Sequence, residues 1–409
     1  MSNAPKVLIL GAGHAGGTVA ALLRQYGFEG PIQMVGDEPI PPYQRPPLSK
    51  AWLKGEADAD ALTLKPESFY PEHGIDLRLG VTATAIDLAR RTVTLQSGEA
   101  LAYDILVIAT GARARRLDIP GADLAGVLSL RSAADAERLK AALGPGRRLA
   151  VIGGGYIGLE AAASGRALGS DVVVIEREAN ILARVAKEPL ASFFADYHRS
   201  KGVAFEVNAQ VEAFEGENGR VTGVKLGDGR TVACDVVLIG VGLQRNFELA
   251  EAAGLDCING IVVDEHARAS DPNVFAIGDV THRPMPHYGS RMHWLESVAN
   301  ALEQAKQAAS MIAGRPAPPA EVTWNWSDQY DLKLQMAGWP FDVDDTLVRG
   351  DPKAAKFAVF HMNGDVIQAV EAVNAPAEFM AGRQLIGQRR PVAREKLADP
   401  SISMKEVAA

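Results

Sequence analysis

Two stretches of this chain repeat one pattern. Val7 to Leu23 reads VLILGAGHAGGTVAALL, and Leu149 to Leu168 reads LAVIGGGYIGLEAAASGRAL. In each, an apolar run enters three spaced glycines and leaves through an alanine-rich segment of helical character. Strand, tight turn and helix in that order make a phosphate cradle. The first glycine turns the chain, the second lets the backbone close on a pyrophosphate, and the third lets helix pack on strand. These are Gly11, Gly13 and Gly16 in the first copy, and Gly153, Gly155 and Gly158 in the second. The anion rests on unpaired N–H groups at a helix start carrying about half a positive charge.

The repetition extends past the glycines. PIQMVGDE and VVVIERE each read as a second strand ending in acid, and DILVIATGARAR, Asp104 to Arg115, returns as DVVLIGVGLQRN, Asp235 to Asn246. Two cradles with their own acidic strand ends and closing strands mean two nucleotide domains, an α/β architecture of two Rossmann-like units. A carboxylate about 20 residues past the third glycine accepts ribose hydroxyls. Glu176 fills that place in the second copy. In the first, alignment of the copies sets Gly36 opposite Glu176, which leaves both Asp37 and Glu38 as candidates.

PPYQRPPLSK, Pro41 to Lys50, holds too many prolines for a helix or an inner strand, and as a stiff loop it delivers Arg45 and Lys50 to defined places. Residues 74–101 alternate like antiparallel strands. After the second copy, a short apolar strand ends at Gly278-Asp279, a long helix stops at Gly314, and RPAPPAE has linker composition. Strands follow, the last two joined at Asn363-Gly364, then a helix and a polar tail, which together form a C-terminal α+β domain. The expected division gives residues 1–112 and 246–325 to the first nucleotide domain, 113–245 to the second and 326–409 to the C-terminal domain.

Net charge −8 argues against a general nucleic-acid binder, which needs a basic stripe. No apolar stretch approaches the ~20 residues that span a bilayer. MSNAPK runs into the first strand without a leader pattern, so a cytoplasmic, unanchored protein is expected. Cys234 and Cys257 form neither a disulfide framework nor a zinc spacing, and no metal is expected.

The set GAGHAGG, PPYxRPPLSK, ATGARxRRL, GGGYIGLE, FAIGDV and WxWSDQ resembles the NADH-dependent, FAD-containing ferredoxin reductases of the putidaredoxin reductase type, glutathione-reductase-like flavoproteins. The resemblance runs through essentially the whole chain. It implies FAD on the first cradle, at Gly11, Gly13, Ala15 and Gly16, with Arg45 and Lys50 from the proline loop and Ala109 and Gly111 from the closing strand. The ribose falls to Asp37 or Glu38, the adenine to the backbone of Val81, and the ribityl chain to Asp279. Arg131 reaches the cofactor from the start of the second domain, and a helix beginning near Val298 faces the polar edge of the flavin ring. NADH is implied on the second cradle, at Gly153, Gly155, Ile157, Gly158 and Gly242, with Glu160 at the nicotinamide carboxamide and pairing with Lys50 when the site is empty. Glu176 takes the adenosine ribose and disfavours a 2′-phosphate, a preference that nearby Arg177 and Arg184 soften.

Disulfide reductases of this superfamily carry cysteines after the second strand, but Pro39 to Lys54 has none. Electrons therefore leave the flavin directly. The resemblance names a two-iron two-sulfur ferredoxin serving a monooxygenase or dioxygenase as acceptor, and sets Trp326 over the flavin at the exit. A basic patch of Arg283 and Arg291, with His282, His287 and His293, is the expected docking site on this acidic chain. Rival readings are a reductase of rubredoxin, quinone or monodehydroascorbate, and a signalling flavoprotein like the apoptosis-inducing factors.

Overall fold

The computed structural model describes residues 4–183, 186 and 188–408. Two five-stranded parallel sheets form its centre. The first runs in the order Ile75–Arg78, Ile32–Val35, Val7–Leu10, Ile105–Ile108 and Val274–Ala276. The second runs Val203–Glu206, Asp171–Ile175, Arg148–Ile152, Val236–Ile239 and Val127–Ser129. Parallel neighbours need crossovers, and the alanine-rich segments supply the leading ones as helices His14–Gln25 and Tyr156–Ala167. Strands such as VLIL and VVLI are buried at every position because helices and small sheets cover both faces.

The structural repeat is wider than the sequence repeat. Each unit also carries a three-stranded antiparallel sheet, Ala83–Asp87, Thr92–Leu95 and Ala100–Ala102 in the first, Val211–Glu217, Arg220–Leu226 and Thr231–Ala233 in the second. Ile75–Arg78, expected among the antiparallel strands, instead joins the parallel sheet beside Ile32–Val35. It arrives by a crossover through the short helix Phe69–Glu72, and Ile75 enters the core around Val19 and Met34. The first sheet takes its last strand from beyond the second unit, so the chain passes between units twice. Those passages, Ala112–Ala114 and Leu243–Arg245, pair with each other antiparallel.

The C-terminal sheet is antiparallel, in the order Trp324–Gln329, Leu332–Gly338, Val366–Val373, Lys356–Asn363 and Asp345–Asp351. It begins at Trp324 rather than at 326. Helix Pro376–Gln388 covers one face, and Leu334, Phe357 and Val373 share a core with Leu159 and Ala162 of the second cradle helix. The tail expected to be merely polar forms helices Arg394–Ala398 and Met404–Ala408, with Leu397, Met404 and Val407 buried. Buried Arg349 holds it by donating to the carbonyls of Asp399 (2.5 Å) and Ile402 (2.6 Å). Among the described residues no helix is long and apolar enough to cross a membrane, and no group of His, Cys, Asp or Glu is arranged to hold a metal.

Candidate functional site

Close approach explains the outer glycines of both cradles. Gly11 has φ +111°, and a Cβ there would lie 2.2 Å from the Ala109 oxygen; one on Gly16 would lie 1.9 Å from the Gly11 oxygen. Gly153, at φ +100°, and Gly158 repeat this at 2.6 Å from the Gly240 oxygen and 2.3 Å from the Gly153 oxygen. The middle glycines differ. A Cβ on Gly13 or Gly155 would meet no protein atom within 4 Å, and each caps its helix without a side-chain hydrogen bond. Both helix ends therefore open onto space with their N–H groups presented, which fits a pyrophosphate at each.

Charged groups converge beside the first helix end. Arg131 Nη2 lies 2.7 Å from Asp279 Oδ2 and its Nε donates to the Ala112 carbonyl. Arg45 donates to the Arg131 carbonyl at 2.5 Å and pairs with Glu38 at 2.7 Å, and Glu38 also accepts from the Tyr43 hydroxyl. Gly278 packs against Ala15, where a Cβ would sit 3.2 Å from the alanine methyl, so the Asp279 turn abuts the helix start. Gly111, at φ +62°, lies alongside Arg131. His14, the first helical residue, has a buried Nδ1 with no protein partner among the described residues, and burial lowers its pKa. That orphaned nitrogen beside an open helix end also fits a bound dinucleotide. The helix Val298–Ile312 starts where expected, capped by Ser297, which accepts from the Asn300 N–H.

Gly36 does stand opposite Glu176, and Ala12 shows why. A Cβ on Gly36 would lie 2.4 Å from the Ala12 methyl, whereas the second cradle has Gly154 there, whose N–H donates to Glu176 at 2.7 Å. Glu38 is drawn to Arg45 and Tyr43, while Asp37 is exposed just past the strand. The N–H of Val81 donates to the Gly36 carbonyl. Around the second cradle Glu176 also accepts from the Glu178 N–H, Ile157 is half exposed, and Gly242 has φ +105°. Arg177 pairs with Glu178, and Arg184 lies outside the described residues.

Between the cradles Lys50 Nζ meets Glu160 Oε2 at 2.7 Å. Glu160 is no surface residue: it is 2 % exposed. Ser49 donates to the same oxygen at 2.5 Å and Ser327, from the C-terminal sheet, to Oε1 at 2.6 Å. Both serines lie inside motifs noted in the sequence, RPPLSK and WxWSDQ, but neither motif names Glu160 as their partner. Trp326 stacks on Trp324, centroids 5.6 Å apart, as alternation along the strand requires, and Arg383 lies over Trp324.

The expected docking patch needs correction. Arg283 is 3 % exposed and paired with Glu303 at 2.7 Å, because its strand, Thr281–Met285, lies buried against the helix Val298–Ile312. His282 is buried and stacked on Trp294, and burial pulls the pKa of His293 down to about 4, so neither adds positive charge near neutrality. His287 is half-buried, near the Ala320 carbonyl. Arg291 stays exposed, paired with Asp342 and set over Phe341.

Residues 5–305 match the family described as pyridine nucleotide-disulphide oxidoreductase, and residues 324–408 match the reductase C-terminal family. The chain is 52 % identical over 408 residues to the probable ferredoxin reductase CtmF of Castellaniella defragrans, covering 100 % of both chains. It is 41 % identical over 414 residues to putidaredoxin reductase CamA of Pseudomonas putida, covering 100 % of this chain and 98 % of that one. The crystal structure of the covalent putidaredoxin reductase-putidaredoxin complex superimposes with a TM-score of 0.97 at 41 % identity, over 99 % of this chain and 98 % of that one. The chain belongs to the pyridine nucleotide-disulphide oxidoreductase family, among its ferredoxin reductases of the putidaredoxin reductase type.

Proposed function

We propose that this protein carries electrons from NADH through bound FAD to a two-iron two-sulfur ferredoxin that serves an oxygenase in the cytoplasm. The observation that carries this reading is the meeting of two open cradles at the Lys50–Glu160 pair, in a chain with no cysteine between Pro39 and Lys54. Relatives named as ferredoxin reductases along the full length support it.

FAD, when bound, supplies an acceptor for the electron pair of NADH that can release electrons singly. On this reading Gly13 and the N–H groups behind it hold the FAD pyrophosphate, and Arg131, Arg45 and Asp279 fix the chain that leads to the ring. Asp37 takes the ribose, because Glu38 is engaged by Arg45 and Tyr43. With FAD bound, the positive end of the helix starting at Val298 would offset negative charge on the flavin ring. Gly155 and Glu176 hold NADH, and the Glu176 charge rejects a 2′-phosphate. With both cofactors bound, Glu160 would orient the nicotinamide carboxamide and Lys50, released from that carboxylate, would turn to the flavin. Trp326 and Trp324 cover the exit, with ferredoxin docking on the face that includes Arg291.

Anaerobic reduction with NADH followed by a panel of acceptors tests this. Rapid reoxidation by a two-iron two-sulfur ferredoxin and slow reoxidation by rubredoxin, quinone and monodehydroascorbate is expected. The opposite ranking would overturn the assignment.

A further inference from the structure

Glu160 is the end of a longer arrangement. Ser327 Oγ accepts from Gln329 Nε2 at 3.0 Å, and Gln329 Oε1 in turn meets His198 Nε2 at 2.7 Å. Ser327 and Gln329 are 1 % exposed and His198 is fully buried. Three parts of the molecule contribute: the second cradle helix, the opening strand of the C-terminal sheet and the helix Leu190–Ser200.

The bond directions follow from the Glu160 end of the chain. Glu160 also receives Lys50 and Ser49, so it stands as the acceptor and the single hydroxyl proton of Ser327 points to it. That leaves a lone pair of Ser327 Oγ for the Gln329 amide N–H, which turns the amide oxygen toward His198. Burial depresses the His198 pKa to about 4, so the ring is neutral near pH 7, and the Gln329 amide oxygen facing Nε2 sets its one proton there. Its Nδ1 faces the Tyr330 hydroxyl at 3.4 Å. Chains of hydrogen bonds pointing one way polarise and strengthen one another.

We propose that His198, Gln329 and Ser327 form a one-way hydrogen-bond chain that fixes the Glu160 carboxylate for the nicotinamide carboxamide, with Ser327 as the positioning residue. This rests on the reading of Glu160 given above. The two oxygens of Glu160 have different duties. Oε2 carries the exchangeable partner, Lys50, while Oε1 is anchored by a serine from another domain. When Lys50 turns away, Ser49 and Ser327 still hold one oxygen each, and the carboxylate plane does not rotate.

The test uses the FAD-loaded enzyme and stopped-flow reduction by NADH. Losing a hydrogen bond to a charged group predicts that S327A slows flavin reduction about tenfold. Q329L, which frees the Ser327 proton to point elsewhere, should slow it less. Reoxidation of the dithionite-reduced variants by ferricyanide should stay within about twofold of wild type, a split that general loosening of the fold would not produce. E160Q is measured alongside. If E160Q is slow but S327A and Q329L reduce at the wild-type rate, the chain has no positioning role and the inference falls alone. If E160Q itself reduces at the wild-type rate, the assignment of Glu160 falls and takes this inference with it.

Discussion

In the first cradle Ala12 carries a methyl group where the second cradle has the bare Cα of Gly154; and where the second has Glu176, the first has Gly36. The two exchanges belong together. With alanine at 12 there is no room for a side chain at 36, and with glycine at 154 the Glu176 carboxylate is drawn onto the backbone at 2.7 Å. The surroundings differ as well. The first cradle is ringed by Arg45, Arg131 and Asp279 from distant parts of the chain, while the second has half-exposed Ile157 at its helix start. On the proposed reading, one backbone serves a ligand held by many groups and another that comes and goes, and the side chains around it make the difference.

Several changes would break or sharpen this contrast. The largest effect is expected at Gly16, where valine would drive a Cβ into the Gly11 oxygen; G16V should lose more than about 4 kcal/mol of stability and its flavin with it. G13A should keep its fold, read by circular dichroism, yet purify with little FAD, since the added methyl meets only the ligand space. A folded, fully flavinated G13A would remove the pyrophosphate from that place.

Next comes His198, which ties the second domain to the C-terminal sheet. Its pKa is about 4 folded against 6.5 as the ordinary value, so the unfolded state binds the proton first as pH falls. Its contribution is therefore complete above about pH 6.5 and fades as pH drops toward 4, a loss of about 3 kcal/mol. Urea unfolding from pH 7 to 4 should show this slope, and H198N should flatten it.

E176A should lower the NADH-to-NADPH ratio of kcat/KM by roughly tenfold to a hundredfold, a part of the ~3–4 kcal/mol that two charges about 4–5 Å apart exchange at an effective dielectric near 20. An unchanged ratio would erase the functional meaning of the Gly36/Glu176 exchange. The smallest effect is ionic. With Arg283 buried and Arg291 partly neutralised by Asp342, raising salt from low to physiological strength should slow ferredoxin reduction by only about two- to tenfold.

Much of this was legible in sequence because glycine spacing is a backbone constraint: Gly11 and Gly16, like Gly153 and Gly158, have carbonyl oxygens where a Cβ would go, and no other residue type does the same job. The meeting of Lys50 with Glu160 was accessible through family resemblance rather than through spacing. Partnerships made only in three dimensions stayed hidden. Arg283 reads as a surface charge until Glu303, a helix away, neutralises it in the interior. Ser327 lies inside the WxWSDQ motif, but nothing in that motif names its partner until the sheet lays the serine on Glu160. Ile75–Arg78 has the composition of either kind of strand, and only the crossover before it selects the parallel sheet. The tail is polar on average, yet Leu397, Met404 and Val407 enter the C-terminal core and Arg349 holds its carbonyls.

The central claim is that a resident flavin on the first cradle is reduced by a nicotinamide on the second without sulfur between them. Anaerobic titration of the purified protein with NADH, before and after alkylation of its thiols, measures this directly. The account predicts a yellow protein that bleaches with about one equivalent of NADH, equally in both samples. A colourless protein unable to take up FAD, or bleaching abolished by alkylation, would contradict it.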